Sequence, residues 1–96
     1  MFETIDEITM SWEEDGVEKV KELDKRILTR GGWTTILFKY QEWSNKKEEY
    51  GPIKFSIRRY RKRNDQFREQ SRFNISNAEQ AKKIIAALQS WIDESG

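Results

Sequence analysis

The chain has 96 residues, a formal net charge of +1, no cysteine and no histidine. It is one small domain near the lower limit for burying its own core, with no disulfide, thiolate metal site or cysteine nucleophile, and without the commonest general base and zinc ligand. That composition argues against an enzyme, a cofactor or a resident metal. The lack of a bilayer-length apolar run argues against a membrane partner, and the acidic start MFETIDEITM is unlike a targeting peptide. A cytoplasmic location is expected, at the nucleoid if the source is bacterial and in the nucleus if it is eukaryotic.

The small net charge hides an asymmetry. Residues 1–16 hold six acids (Glu3, Asp6, Glu7, Glu13, Glu14, Asp15) and no base. Lys54 to Arg72 holds eight bases against Asp65 and Glu69. Such a division is the footprint of a polyanion binder with an acidic arm.

Two units follow: a flexible acidic arm over 1–16, lying over the basic region as a weak competitor for phosphate, and a single domain over 17–96. Glu13-Glu14-Asp15-Gly16 lacks the rest of a calcium loop and reads as part of the arm. Val17, Val20, Leu23 and Ile27 are spaced for a helix as well as a strand. The alternation of Leu23, Lys25, Ile27 and Thr29 before the turn Gly31-Gly32 favours a strand over 21–30. Trp33–Trp43 is β-branched and aromatic, which predicts a second strand. Lys46-Lys47-Glu48-Glu49 reads as a hairpin loop, and the turn signal Gly51-Pro52 enters a third strand over Ile53–Tyr60. The polar turn Arg63-Asn64-Asp65-Gln66 leads to a fourth, Arg68–Ile75. Ser76-Asn77-Ala78-Glu79 has the form of a capping box. Ala81, Ile84, Ile85, Leu88, Trp91 and Ile92 then recur at helical spacing. The fold class is therefore α+β, a four-stranded antiparallel sheet followed by one C-terminal helix (β-β-β-β-α).

The helix must cover one sheet face, and parity puts Ile36, Phe38, Phe55, Ile57, Phe73 and Ile75 beneath it. The opposite face would gather Trp33, Thr35, Lys39, Gln41 and Trp43 with Lys54, Ser56, Arg58, Tyr60 and Lys62, and with Arg68, Gln70, Arg72 and Asn74. Cations for phosphates beside aromatic rings for unpaired bases point to single-stranded nucleic acid. The candidate nucleic-acid-binding residues are Lys39, Trp43, Lys54, Arg58, Tyr60, Lys62, Arg68 and Arg72. The helix is more apolar than one small sheet face needs, so a homodimer is expected with Leu88, Trp91 and Ile92 at its interface.

The run Ile53-Lys54-Phe55-Ser56-Ile57-Arg58-Arg59-Tyr60, a polar turn, Ser71-Arg72-Phe73-Asn74-Ile75-Ser76 and the helix start Asn77-Ala78-Glu79-Gln80 resemble the C-terminal domain of the transcriptional coactivator called positive cofactor four. A more distant similarity extends to the Whirly and Pur-alpha proteins. The resemblance spans about residues 20–92 and is sharpest over 53–92. It implies a β-β-β-β-α homodimer binding single-stranded DNA across curved sheets, with RNA as a close variant. By position it implicates Lys54, Arg58 and Tyr60 on the third strand, Arg68 and Arg72 on the fourth, and Lys39 and Trp43 on the second. Transcription or replication proteins would be further partners. Arg59 stands where the coactivators tend to have an acid, and the acidic arm replaces their serine- and lysine-rich leader. A different reading of the same residues is a protein-interaction module whose basic sheet face docks an acidic partner.

Overall fold

The computed structural model describes residues 2–95; Met1 and Gly96, the outermost residues of the two expected units, lie outside them. A 3-10 turn over Ile5–Glu7 precedes β1 (Trp12–Glu14), β2 (Val17–Thr29), β3 (Trp33–Ser44), β4 (Glu49–Tyr50), β5 (Lys54–Arg63), β6 (Gln66–Ile75) and α1 (Ala78–Ser95). The fold is α+β, one antiparallel sheet and a C-terminal helix. The strand order is β1-β2-β3-β5-β6, with β4 paired to the end of β3. Two short strands, β1 and β4, add to the four expected. Among the described residues no helix is long and apolar enough to cross a membrane.

Local chemistry sets the connections. Asp15 and Gly16 have φ of 53° and 78° and join Glu14 to Val17 in a two-residue hairpin. Asn64 and Asp65, at 50° and 60°, do the same between Arg63 and Gln66. Left-handed pairs of this kind match the twist of the strands they join. The ambiguous spacing in β2 also has a cause. Register shifts between Glu22 and Asp24 and between Ile27 and Thr29 leave Leu23 and Leu28 without partners. Val20 and Ile27, seven residues apart, would face opposite sides of a regular strand. The bulge at Leu23 returns both to one side, against Glu42 and Ile36. A strand carrying bulges thereby imitates helical spacing.

The sheet register corrects the assignment of faces. Ile36 pairs with Arg58, Phe38 with Ser56 and Tyr40 with Lys54, so even positions of β3 share a face with even positions of β5. Leu37 with Ile57 and Lys39 with Phe55 form the opposite face, which Phe73 and Ile75 join from β6. The expected parity misaligned β3 with β5 by one residue, and a one-residue slip moves every side chain to the other side.

Residues 2–10 are not a free arm. Ile8 and Met10 are buried with Thr34, Ile36, Phe38, Tyr40, Ser56 and Tyr60, and Phe2 and Ile5 pack against the same cluster. Lys25 Nζ donates to the carbonyl oxygens of Asp6 and Ile8 at 2.9 and 2.6 Å. Phe2 and Phe67 exchange backbone hydrogen bonds. The acids of this segment point outward while its apolar residues supply the second layer of the core. Composition drew attention to the acids and hid the apolar set Phe2, Ile5, Ile8 and Met10.

That second layer was expected from α1, and α1 does not provide it. The helix holds no buried residue. Ile85, Leu88, Trp91 and Ile92 are 51–64% exposed. On the face away from the N-terminal segment, Phe73 is 53% exposed, and Leu37, Phe55 and Ile57 are half-buried. The helix cap lies one residue later than expected. Asn77 Oδ1 accepts from the Gln80 amide and Gln80 Oε1 accepts from the Ser76 amide, each at 2.8 Å. Asparagine is at least as good an N-cap as serine.

The shape follows from this arrangement. The molecule measures 51 × 38 × 17 Å with a radius of gyration of 15.5 Å, where a compact domain of this length has about 12.5 Å. It exposes 7055 Å², against about 5,800 Å² for a folded monomer of its mass.

Candidate functional site

The basic residues of β5 and β6 do not form one surface. Lys54, Arg58, Tyr60, Lys62 and Arg72 lie on the face that carries the N-terminal segment, whereas Lys39, Trp43 and Arg68 lie on the other. Tyr60 is 2% exposed, its ring edge-on to Phe2 with centroids 6.5 Å apart. It is a core residue, and burial raises its phenol pKa above 10.0. Trp43 packs edge-on to Tyr50 at 5.1 Å, pinning β4 to β3. Lys62 is exposed at the end of β5, with its ammonium 5.7 Å from the Phe67 ring centroid.

What remains on the first face is a groove between the N-terminal segment and β6. One hollow of about 320 Å³ is lined by Met10, Trp12, Tyr40, Arg58, Arg72 and Asn74 among others. A second, of about 370 Å³, is reached across Arg58 and is bounded by Phe2, Tyr60, Phe67, Glu69 and, at the β6 edge, Arg68, whose pairing with Arg61 assigns it to the opposite face. The cross-strand pairs Arg58–Arg72 and Ser56–Asn74 place these polar groups in two rows of the floor.

Hydrogen bonds hold the floor in one arrangement. Arg58 Nη1 donates to Glu69 Oε1 at 3.3 Å, and Arg72 Nε donates to Glu69 Oε2. Arg58 Nε donates to Ser56 Oγ at 3.3 Å, and that hydroxyl donates to Asn74 Oδ1 at 2.7 Å. The Asn74 amide nitrogen is thereby left as a donor. Two guanidinium groups share the Glu69 carboxylate, and Glu42, which also lines the first hollow, is paired with Lys54, so the groove keeps a surplus positive charge. The Arg58 side chain is 12% exposed and Arg72 is 51% exposed, making Arg72 the cation a ligand reaches first. Lys54 lies 2.7 Å from Glu42; that hydrogen bond outweighs burial and raises the lysine pKa above 10.5.

At one end of the groove stands Trp12, 50% exposed. Its pairing with Val20 puts it on the groove side. Treating residues 1–16 as a free arm concealed it, although Asp15-Gly16 is a strong hairpin signal that implied a strand on each side. Fixed arginines and an asparagine donor beside an exposed indole can hold phosphate oxygens and stack one planar ring. The chain matches no protein-family model, no curated protein and no solved structure.

Proposed function

We propose that the protein binds single-stranded nucleic acid without catalysis, and that it does so as a homodimer. The observation that carries the reading is the pair Arg58 and Arg72 converging on the single carboxylate of Glu69, in the floor of a groove that ends at the exposed Trp12. A groove with surplus positive charge suits a polyanion. An exposed indole suits an unpaired base, whose face a duplex hides. The similarity of residues 53–92 to the coactivator domain points the same way.

The dimer rests on two apolar surfaces of one chain, each uncovered among the described residues. They are the stripe Ile85, Leu88, Trp91 and Ile92 of α1, and the patch Leu37, Phe55, Ile57 and Phe73 of the sheet. The surface excess over a compact monomer, roughly 1,200 Å², exceeds the roughly 800 Å² that each subunit contributes to an ordinary stable interface.

Fluorescence anisotropy with a labelled oligothymidine tests the binding. Affinity is expected to fall steeply with salt, as neutralised phosphates release their counterions, and a competing RNA strand sets the preference between the two polymers. Arg72→Ala is expected to weaken binding to all sequences and to reduce the salt slope by about one unit. No binding at low salt rejects the reading, and binding of an acidic polypeptide in its place supports a protein-docking module.

A further inference from the structure

The sheet face opposite the groove carries a second cluster. Trp33 opens β3 and is 42% exposed. The guanidinium carbons of Arg59 and Arg61 lie 4.5 and 5.2 Å from its ring centroid. Trp33 pairs with Arg61, and Arg61 with Arg68, so an indole and two guanidinium groups form one row across β3, β5 and β6. All three arginines are exposed. Among the described residues none of them has a carboxylate within 4.0 Å, whereas Arg58 and Arg72 in the groove share Glu69.

The register keeps this row clear of the apolar patch. Thr35, Arg59 and Ser71 form the next row, and Leu37, Ile57 and Phe73 the one beyond. Four residues of strand separate Trp33 from Leu37, about 13 Å, toward the end of the sheet remote from the start of α1. Trp33 therefore lies toward the margin of an interface centred on the apolar patch, not at its middle.

A solvated charged edge explains arginines that point to water, because edge charges deter strand pairing. It does not explain an indole held half-exposed against two of them. An exposed tryptophan has a cost in water, and cation–π contact offsets part of it. The resulting surface has two properties at once: a flat layer for a planar ring, and unpaired guanidinium donors for phosphate oxygens beside it, on β5 and β6.

We infer that Trp33, Arg59, Arg61 and Arg68 form a second nucleic-acid contact, in which an unpaired base stacks on the Trp33–arginine layer and the flanking phosphates bind the guanidinium groups. The inference rests on the nucleic-acid reading of the groove and adds a contact on the opposite side of the sheet. A strand long enough to turn around the β6 edge would engage both, and a short strand would engage one.

The test uses the full chain with two oligothymidines, one of about five nucleotides and one of about twenty, together with a duplex of the longer length. Trp33→Leu is expected to lower affinity for the long strand by about 5- to 150-fold, the range that one stacked base provides, with little change in salt slope. The duplex should lose much less. Arg59→Ala combined with Arg61→Ala is expected to flatten the salt slope by about one unit per lost phosphate contact. Photocrosslinking of an iodouracil-substituted strand to the unaltered protein should mark Trp33, a readout that does not depend on a variant's folding. If Trp33→Leu binds the long strand as the original does, or if the crosslink maps only to Trp12, the second contact is refuted while the groove stands. If the unaltered protein binds neither strand at low salt, the nucleic-acid reading falls and this contact with it. If polyglutamate displaces the long strand at equal charge concentration and binds through Trp33, the cluster is a docking site for acidic protein and the inference is overturned.

Discussion

Ile8 is fully buried beside Ile36 and Phe38, so the N-terminal segment can be weighed one side chain at a time. Ile8→Ala should cost about 2–5 kcal/mol, the ordinary range for truncating a buried aliphatic side chain. Against a total stability of about 5–15 kcal/mol, that is a large share. Urea unfolding would read it as a drop in midpoint with little change in slope, and a change below about 0.5 kcal/mol would mean that the segment is not part of the core. Backbone conformation offers a test of the opposite sign. Glu48 ends the β3–β4 turn with φ 52°, a region that costs an L-residue about 1–2 kcal/mol and glycine almost nothing. Glu48→Gly should therefore raise stability by up to about 1 kcal/mol after its larger loss of unfolded-state entropy. Tyr40 and Tyr60 add a pH dependence. Burial raises both phenols above 10.0 in the folded chain, so folding favours their protonated forms. Their contribution is constant below about pH 10, the unfolded value, and is lost as pH rises through the folded values. Tyr60→Phe should flatten the alkaline limb of the stability profile above pH 10, and an unchanged limb would mean that the ring is solvated.

At the scale of elements, the legible parts were those whose pattern is local. β3 and β5 were marked by alternation and bounding turns, and α1 by its stripe and its cap. Their ends fall within three residues of expectation. What was not legible depended on register or on a partner. The bulges at Leu23 and Leu28 shift the phase of β2, and nothing in 21–30 by itself specifies a bulge. The phase of β3 against β5 is set through the connection that contains β4, a two-residue strand masked by the polar run Ser44–Glu49. That phase decided the site. Arg58 and Arg72 meet as expected, but Lys39, Trp43 and Arg68 go to the other face and Tyr60 goes to the core. Arg59 and Arg61 share the parity of Ile57 on one strand, and Trp33 adjoins a glycine pair, both of which are readable in the chain. Their meeting needed the register.

At the scale of the whole molecule, α1 poses the decisive question. An 18-residue helix draws most of its stability from tertiary packing, because isolated helices are marginal in water, and this one buries no side chain within its own chain. Only Ala81 and Ile84, at the end nearest β6, are half-covered. About two turns of apolar stripe beyond them, Ile85 to Ile92, face solvent in a chain whose fold is 17 Å thick. The proposed second copy would resolve this, since each chain brings both the stripe and the apolar sheet patch, and a two-fold axis would satisfy them together. Mass action then gives a signature that a monomer cannot show: the melting temperature should rise with protein concentration. Replacing Leu88 and Trp91 together by glutamate should abolish that rise and halve the sedimenting mass. The sheet should persist, because neither residue touches the core built by Ile8, Ile36, Phe38 and Tyr60. If the original protein sediments as a monomer at micromolar concentration and melts independently of concentration, the homodimer is refuted.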